Sequence, residues 1–271
     1  MLILSNSSLS KFTHCPKRYG LTKIDGWSQR ETNDNLIIGS ATHKGIEIWS
    51  MSKDRDIAYL AVYDVKGVDE DLFEIIFSLL DSYFDKWEHD EMRPITAEHD
   101  ITFNIPVSYA KEGIGYRAIL DGIKSNKEGI WVHEIKTSGL KQGSFWKKYQ
   151  KDNQIIGNIC AAESIIDEPI VGAYVDAIFK PGYNRPDPIC ERQFFRVTPA
   201  DRKLWLQNTI KRGKVMHRAI EENSFYESFD CFPGYYTCEF LPYCTTENNM
   251  EVLRTTHILK MKTKEEEKSK K

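Results

Sequence analysis

Between Leu72 and Trp87, the residues Leu72, Ile75, Ile76, Leu79, Leu80, Tyr83, Phe84 and Trp87 recur at the i, i+3, i+4, i+7 spacing of one helix face. Upstream, Leu9 and Phe12 mark the inward side of a short helix over Ser8 to Lys17, closed by "CPKRY". The stretch "GSATHKGIEIWSMS" predicts a second helix with His43 and Glu47 four apart on one face. After Trp87 the period changes. "EHDITFNIPV", "GYRAILDGIKS" and "GIWVHEIKT" read as three strands, the last two joined across Asn126 to Gly129 as a hairpin. A long helix is expected from about Ser144 to Ile166, followed by the strands "IVGAYVDAIFK" and "CERQFFRVT". Thr198 then caps a helix that has Pro199 at its first position and runs to about Asn223. This order predicts an α/β (mixed α+β) fold, a central mixed β-sheet flanked by helices, as one domain over residues 1–258. Residues 259–271, with "KMKTKEEEKSKK", form a charged tail expected to be disordered.

With 41% hydrophobic and 12% aromatic residues among 271, the chain can build a sizeable core. No apolar run approaches the roughly 18 residues of a membrane span. The opening "MLILSNSSLSKF" lacks the basic region of a signal peptide. A cytoplasmic location is expected, or the host cytoplasm for a viral protein, where disulfides are not. A net charge of −3 gives no overall footprint for nucleic acid, so any such contact needs local basic patches. Lys141, Lys147, Lys148 and Lys151 are candidates for holding phosphates, and Trp146 or Tyr149 for stacking a base.

The hairpin carries the most specific chemistry. Ile130 and Val132 share one face of the strand that ends it, and Glu134 and Lys136 continue that face. Asp121 lies in the preceding strand, so the hairpin returns Glu134 beside it. Two carboxylates on adjacent strands repel unless a cation lies between them, and a hard, oxygen-seeking ion such as Mg2+ or Mn2+ suits them. Lys136 on the same face can orient a water and stabilise charge on a phosphate. An ordinary cross-strand ion pair would read the same way in isolation.

The surrounding motifs sharpen this. "ILDGI…WVHEIKTS" resembles the PD-(D/E)xK nuclease superfamily, with Leu120 where the name has proline. "GSATHKGIE" is similar to the upstream histidine motif of the RecB-like branch. "QIIGN", eighteen residues past Lys136, resembles its Gln-x-x-x-Tyr helix, with Asn158 in the tyrosine's place. "SLSKFTHCPKRYGL" resembles the family's N-terminal Ser-x-x-x-Phe-x-x-Cys-Pro segment. The resemblance spans about residues 5 to 245 and implies a restriction-endonuclease-like core. It implies His43, Asp121, Glu134 and the carbonyl of Ile135 as ligands of a divalent metal. Lys136 would then be the catalytic lysine, and Gln154 would contact substrate or brace that lysine. Glu47 and Glu98 read instead as a surface or neighbouring carboxylate and a solvated one.

Cys231, Cys238 and Cys244 crowd into "CFPGYYTCEFLPYC", whereas Cys160 and Cys190 sit singly in apolar or strand-like stretches as small buried hydrophobes. Together with Cys15, the crowded three look like the iron–sulfur staple of RecB-like nucleases of the AddB and CRISPR-adaptation kind. The resemblance thus implies a [4Fe–4S] cluster on Cys15, Cys231, Cys238 and Cys244, joining both ends of the domain. Four thiolates suit structural Zn2+ equally. The reading is a metal-dependent DNA exonuclease acting at DNA ends or in single strands, in a repair or recombination setting that admits a helicase partner. A structure-specific endonuclease on the same site, and a non-catalytic DNA-end-binding module, are the alternatives. The intact Asp121, Glu134 and Lys136 favour an enzyme.

Overall fold

A computed structural model describes residues 1–30, 33–105, 113–139, 142–147, 149, 152–182, 186–229, 231–232 and 237–259. The chain begins with β1 (Leu2–Leu4), α1 (Asn6–His14), α2 (Pro16–Tyr19), a π-helical turn over Gly20–Ile24 and β2 (Trp27–Gln29). Three helices follow, α3 (Asp34–Ser52), α4 (Arg55–Tyr63) and α5 (Glu70–Trp87). Five strands come next: β3 (Arg93–Thr96), β4 (His99–Asn104), β5 (Ile114–Leu120), β6 (Gly122–Asn126) and β7 (Gly129–Ser138). Then come α6 (Gln142–Lys147), α7 (Asn153–Ala162), β8 (Ile170–Phe179), β9 (Ile189–Arg196) and α8 (Pro199–Glu221). The chain closes with α9 (Leu241–Thr245), α10 (Met250–Thr256) and β10 (His257–Leu259). Contacts divide it into two units, Met1 with Asn33–Asn208 and Leu2–Thr32 with Thr209–Lys271.

In the first unit, five strands lie in the order β3-β6-β7-β8-β9. β7 and β8 are parallel and the other neighbours antiparallel. A parallel pair needs a crossover, which α6 and α7 supply. The alternation of β7 decides what each face meets. Ile135 joins a core with Ile38, Trp49, Leu80 and Phe84 from α3 and α5. Glu134, one residue earlier, faces α7 instead. The stripe on α5 buries Leu72, Ile76, Leu79, Leu80, Tyr83 and Phe84, each worth roughly 1.5–3 kcal/mol. Ile75 from the same pattern stays exposed.

Three differences from the periodicity have local causes. "GYRAILDGIKS" is two strands, because β5 pairs antiparallel with β4 while β6 belongs to the five-stranded sheet. Asp121 is the single residue between them, and its side chain turns to accept a backbone N–H from β7. The expected long helix is also two. Asp152 accepts from Gln154 N at 2.7 Å and Ile155 N at 3.1 Å, which starts α7 afresh. Helix α4 and strand β3 are the third difference, each too short for periodicity to mark. Gly157 lets α7 press against the strand below it, since a Cβ there would lie 2.5 Å from Tyr116 Oη.

A buried charged cluster lies on the α3–α5 side of the sheet. Asp176 accepts from Tyr83 Oη at 2.8 Å, His133 Nε2 at 2.9 Å, Arg192 Nε at 2.6 Å and Arg192 Nη2 at 2.8 Å. Arg192 Nη1 also reaches Asp90 Oδ1 at 2.8 Å, and the guanidinium stacks 3.8 Å from the Trp87 ring centroid. Lys124, also buried, donates to Ser50 Oγ over 3.4 Å.

In the second unit, α1 opens with reciprocal hydrogen bonds between Ser5 and Ser8 and ends at Cys15, after which Pro16 opens α2. β2 pairs antiparallel with β10, so residues near the two ends of the described chain meet. Leu21, Phe240, Tyr243 and Leu253 form the core there, and Phe240 stacks on His257 at 4.4 Å. No helix among the described residues is long and apolar enough to cross a membrane. Leu259, the first residue assigned to the charged tail, instead closes β10, and the rest of the tail, from 260 onward, lies outside the described residues.

Candidate active site

The C-terminal half of β7 brings the expected residues together. Gly122 pairs with His133 across the hairpin, which sets Asp121 beside Glu134. Asp121 Oδ2 accepts the backbone N–H of Ile135 at 2.7 Å, and its Oδ1 lies 3.2 Å from His43 Nδ1 on α3. Glu134, only 1% exposed, takes Gln154 Nε2 on Oε1 at 2.7 Å and Asn158 Nδ2 on Oε2 at 2.9 Å. The Lys136 ammonium pairs with the same Oε1. The constellation therefore draws His43 from the helix on one side of the sheet and two amides from the helix on the other.

The two carboxylates are differentiated. Burial pushes Asp121 up, but His43, Lys136 and the Ile135 N–H outweigh it and bring it down to about 2. Burial, reinforced by the negative charge of Asp121, pushes Glu134 up to about 6 against the pull of Lys136. Burial alone would lower Lys136; the facing carboxylates of Glu134 and Asp121 outweigh that and raise it. The fold thus favours the ionised form of Asp121, and the Lys136 ammonium faces both carboxylates. The chemistry of this donor set fits a hard divalent cation. Among the described residues, no three His, Cys, Asp or Glu side chains already converge as a metal cage.

Several residues take different positions from those expected. Gln154, expected to contact substrate or brace the lysine, donates to Glu134, the carboxylate that the lysine pairs with. Asn158, marked in the sequence only as a departure from a tyrosine, grips the same carboxylate; its spacing of four from Gln154 was the available signal. Tyr149 is buried beside Phe145 and Phe195, so it is not presented for base stacking. Trp146 is half-buried and donates to Glu191 Oε2 at 2.7 Å. Lys147 is exposed, while Lys141, Lys148 and Lys151 lie outside the described residues. Glu47 and Glu98 lie as expected: Glu47 pairs with Lys44 at 2.7 Å, and Glu98 is exposed.

Cys15, Cys231, Cys238 and Cys244 all line one cavity of about 40 Å³ in the second unit, together with Lys17, Arg18, Glu227 and Phe240. None of the four is in a disulfide, and among the described residues no three of them converge as a metal cage. Burial pushes Cys244 up to about 11 and raises Cys238 as well. Cys160 and Cys190 are buried elsewhere, in the first unit.

Residues 3–245 match the model of the PD-(D/E)XK nuclease superfamily. The chain belongs to that superfamily and is a nuclease. Among solved structures it is similar to the "Putative exonuclease" from Eubacterium rectale, at 13% identity and a TM-score of 0.56, covering 98% of this chain and 92% of that one. SSO0001 aligns at 12% identity and a TM-score of 0.34, covering 83% and 90% of the two chains. No curated protein matches the sequence.

Proposed function

We propose that this nuclease is a divalent-metal-dependent deoxyribonuclease, using Mg2+ or Mn2+ to hydrolyse phosphodiester bonds at DNA ends or in single strands. The observation that carries the reading is the gathering of Asp121, Glu134 and Lys136 at the end of β7. His43, Asp121, Glu134 and the Ile135 carbonyl would hold the cation. When bound, it supplies Lewis-acid polarisation of a phosphate oxygen and a more acidic water. Lys136, anchored on Glu134 Oε1, has further N–H donors to align the attacking water and steady charge on the phosphate. Gln154 positions Glu134. The exonuclease assignment leans on the name carried by the Eubacterium rectale protein. A structural [4Fe–4S] cluster on the four cysteines, or Zn2+ in its place, is supported by their common cavity.

End-labelled linear DNA, single- and double-stranded, should be degraded from its termini with Mn2+ and left intact in chelator. Closed circular DNA should resist. Cleavage of closed circles as fast as linear DNA would make the enzyme an endonuclease, and no cleavage under any divalent metal would overturn the catalytic reading.

A further inference from the structure

We propose that Asn158 is a positioning residue that fixes the one oxygen of Glu134 still open to a cation. The inference rests on the metal-dependent reading above and concerns a side chain that departs from the Gln-x-x-x-Tyr pattern of the RecB-like branch that the sequence resembles. A carboxylate oxygen accepts about two hydrogen bonds, one per lone pair. On Glu134, Oε1 already receives Gln154 Nε2 and Lys136 Nζ, which fills it. Among the described residues, Oε2 receives only Asn158 Nδ2, at 2.9 Å. One acceptor direction therefore remains on Glu134, and it belongs to the oxygen that Asn158 holds.

The surroundings give this bond its weight. Glu134 is 1% exposed and Asn158 2% exposed, so water does not substitute freely for a lost amide. Asn158 is rigidly placed, because Gly157 lets α7 sit close to Tyr116 and Trp205, where any Cβ would collide. Asp152 caps the same helix at its start. Gln154 and Asn158, one turn apart, consequently clamp both oxygens of one carboxylate and fix its plane. Without Asn158, Glu134 could still pivot about the Oε1 contacts, and Oε2 would lose its orientation. A cation requiring ligands in set directions then binds less tightly, as when partners behind metal ligands are removed.

Mn2+ titration calorimetry on the full chain tests this, with wild type, Asp121→Asn, Asn158→Ala and Asn158→Leu compared. Both Asn158 variants should keep the wild-type near-ultraviolet circular dichroism and bind Mn2+ about 10- to 100-fold more weakly. In nuclease assays the Mn2+ concentration for half-maximal activity should rise by a similar factor, with kcat largely recovered at saturation. A merely structural role would lower kcat at every Mn2+ concentration. Wild-type affinity in a folded Asn158 variant, with binding lost in Asp121→Asn, overturns the clamp and leaves the metal site standing. Absence of Mn2+ binding by wild type overturns both. Should neither Asn158 variant fold, the side-chain amide signal of Asn158 in the wild type decides: it must shift on Mg2+ saturation, and a fixed signal overturns the proposal.

Discussion

Asp121 accepts the backbone N–H of Ile135 at 2.7 Å, so the carboxylate between β5 and β6 is held by the main chain of the strand carrying Glu134 and Lys136. Apart from proline at position 135, no substitution removes that donor. Asp121→Asn keeps the size of the side chain while abolishing its charge. Cleavage of end-labelled DNA should fall at least about a hundredfold, while the protein stays folded at some cost in thermal stability because the fold favours the charged carboxylate. Turnover within a few-fold of wild type would remove Asp121 from the site.

Lys136 and Glu134 share an ion pair but differ in role. Lys136→Met should lose about a hundredfold or more in cleavage and still bind Mn2+, whereas Glu134→Ala should lose both. Calorimetry and a nuclease assay on the two proteins separate the roles, and full activity in Lys136→Met would exclude the lysine from the chemistry.

Acid should weaken the fold through His133. Burial and nearby Lys124 bring its pKa down to about 4, against an opposing pull from Asp176, while in the unfolded chain it titrates near 6.5. Between those values the unfolded state binds more protons, so stability is intact above about pH 6.5 and declines as pH falls toward 4. Asp176, held below the usual carboxylate range against its burial by Arg192 and His133, extends the loss below its unfolded pKa. Melting temperature should drop by roughly 5 °C or more from pH 7 to pH 4.5. His133→Gln should flatten that slope, and an unchanged slope would show that another group governs it.

Lys124 makes a contribution of the same sign on the alkaline side. Burial brings its pKa down to about 8, with Asp176 opposing, so the ammonium is held in the fold at a penalty. That penalty is relieved as pH rises from about 8 toward the ordinary lysine value, and stability should climb over this window. Lys124→Met should stabilise the protein at pH 7 by on the order of 1–2 kcal/mol and remove the climb. Destabilisation by this substitution in a melting experiment would mean that the ammonium has a stronger partner than Ser50.

For the cysteine cavity, anaerobically purified protein should be brown, and serine at Cys15, Cys231, Cys238 or Cys244 should each remove the colour. Serine at Cys160 or Cys190 should not; burial pushes those thiols up to about 12 and about 11, as expected of inert packing groups. Colourless protein with one zinc would retain the staple with another metal, and metal-free protein would end the cluster reading.

Much of this was legible before any coordinates. The helical stripe of α5 and the hairpin holding Asp121 and Glu134 followed from periods of 3.6 and 2, which depend on local geometry alone. The break at Asp121 did not, because an apolar run reads alike whether it stays in one sheet or changes to another. Nor did Asp152 announce itself as a cap within a stretch of helix-compatible residues. The Asp176–Arg192–Asp90 cluster was hidden for a different reason. Its charges are far apart in sequence and only strand pairing and helix docking bring them to one point.

The two-residue turn between Asn126 and Gly129 also governs which insertions and deletions this lineage can tolerate. Extra residues at the tip, where Gly129 already adopts a φ of +130°, can bulge into solvent and leave the pairing of Gly122 with His133 unchanged. One residue deleted between Gly129 and Glu134 cannot be absorbed that way. It would carry Glu134 and Lys136 through the sheet toward Trp49 and Leu80, and turn His133 or Ile135 toward α7. Length variation among relatives should therefore concentrate in the turn, and the five residues from Ile130 to Glu134 should keep their number even where every side chain but the carboxylate has changed.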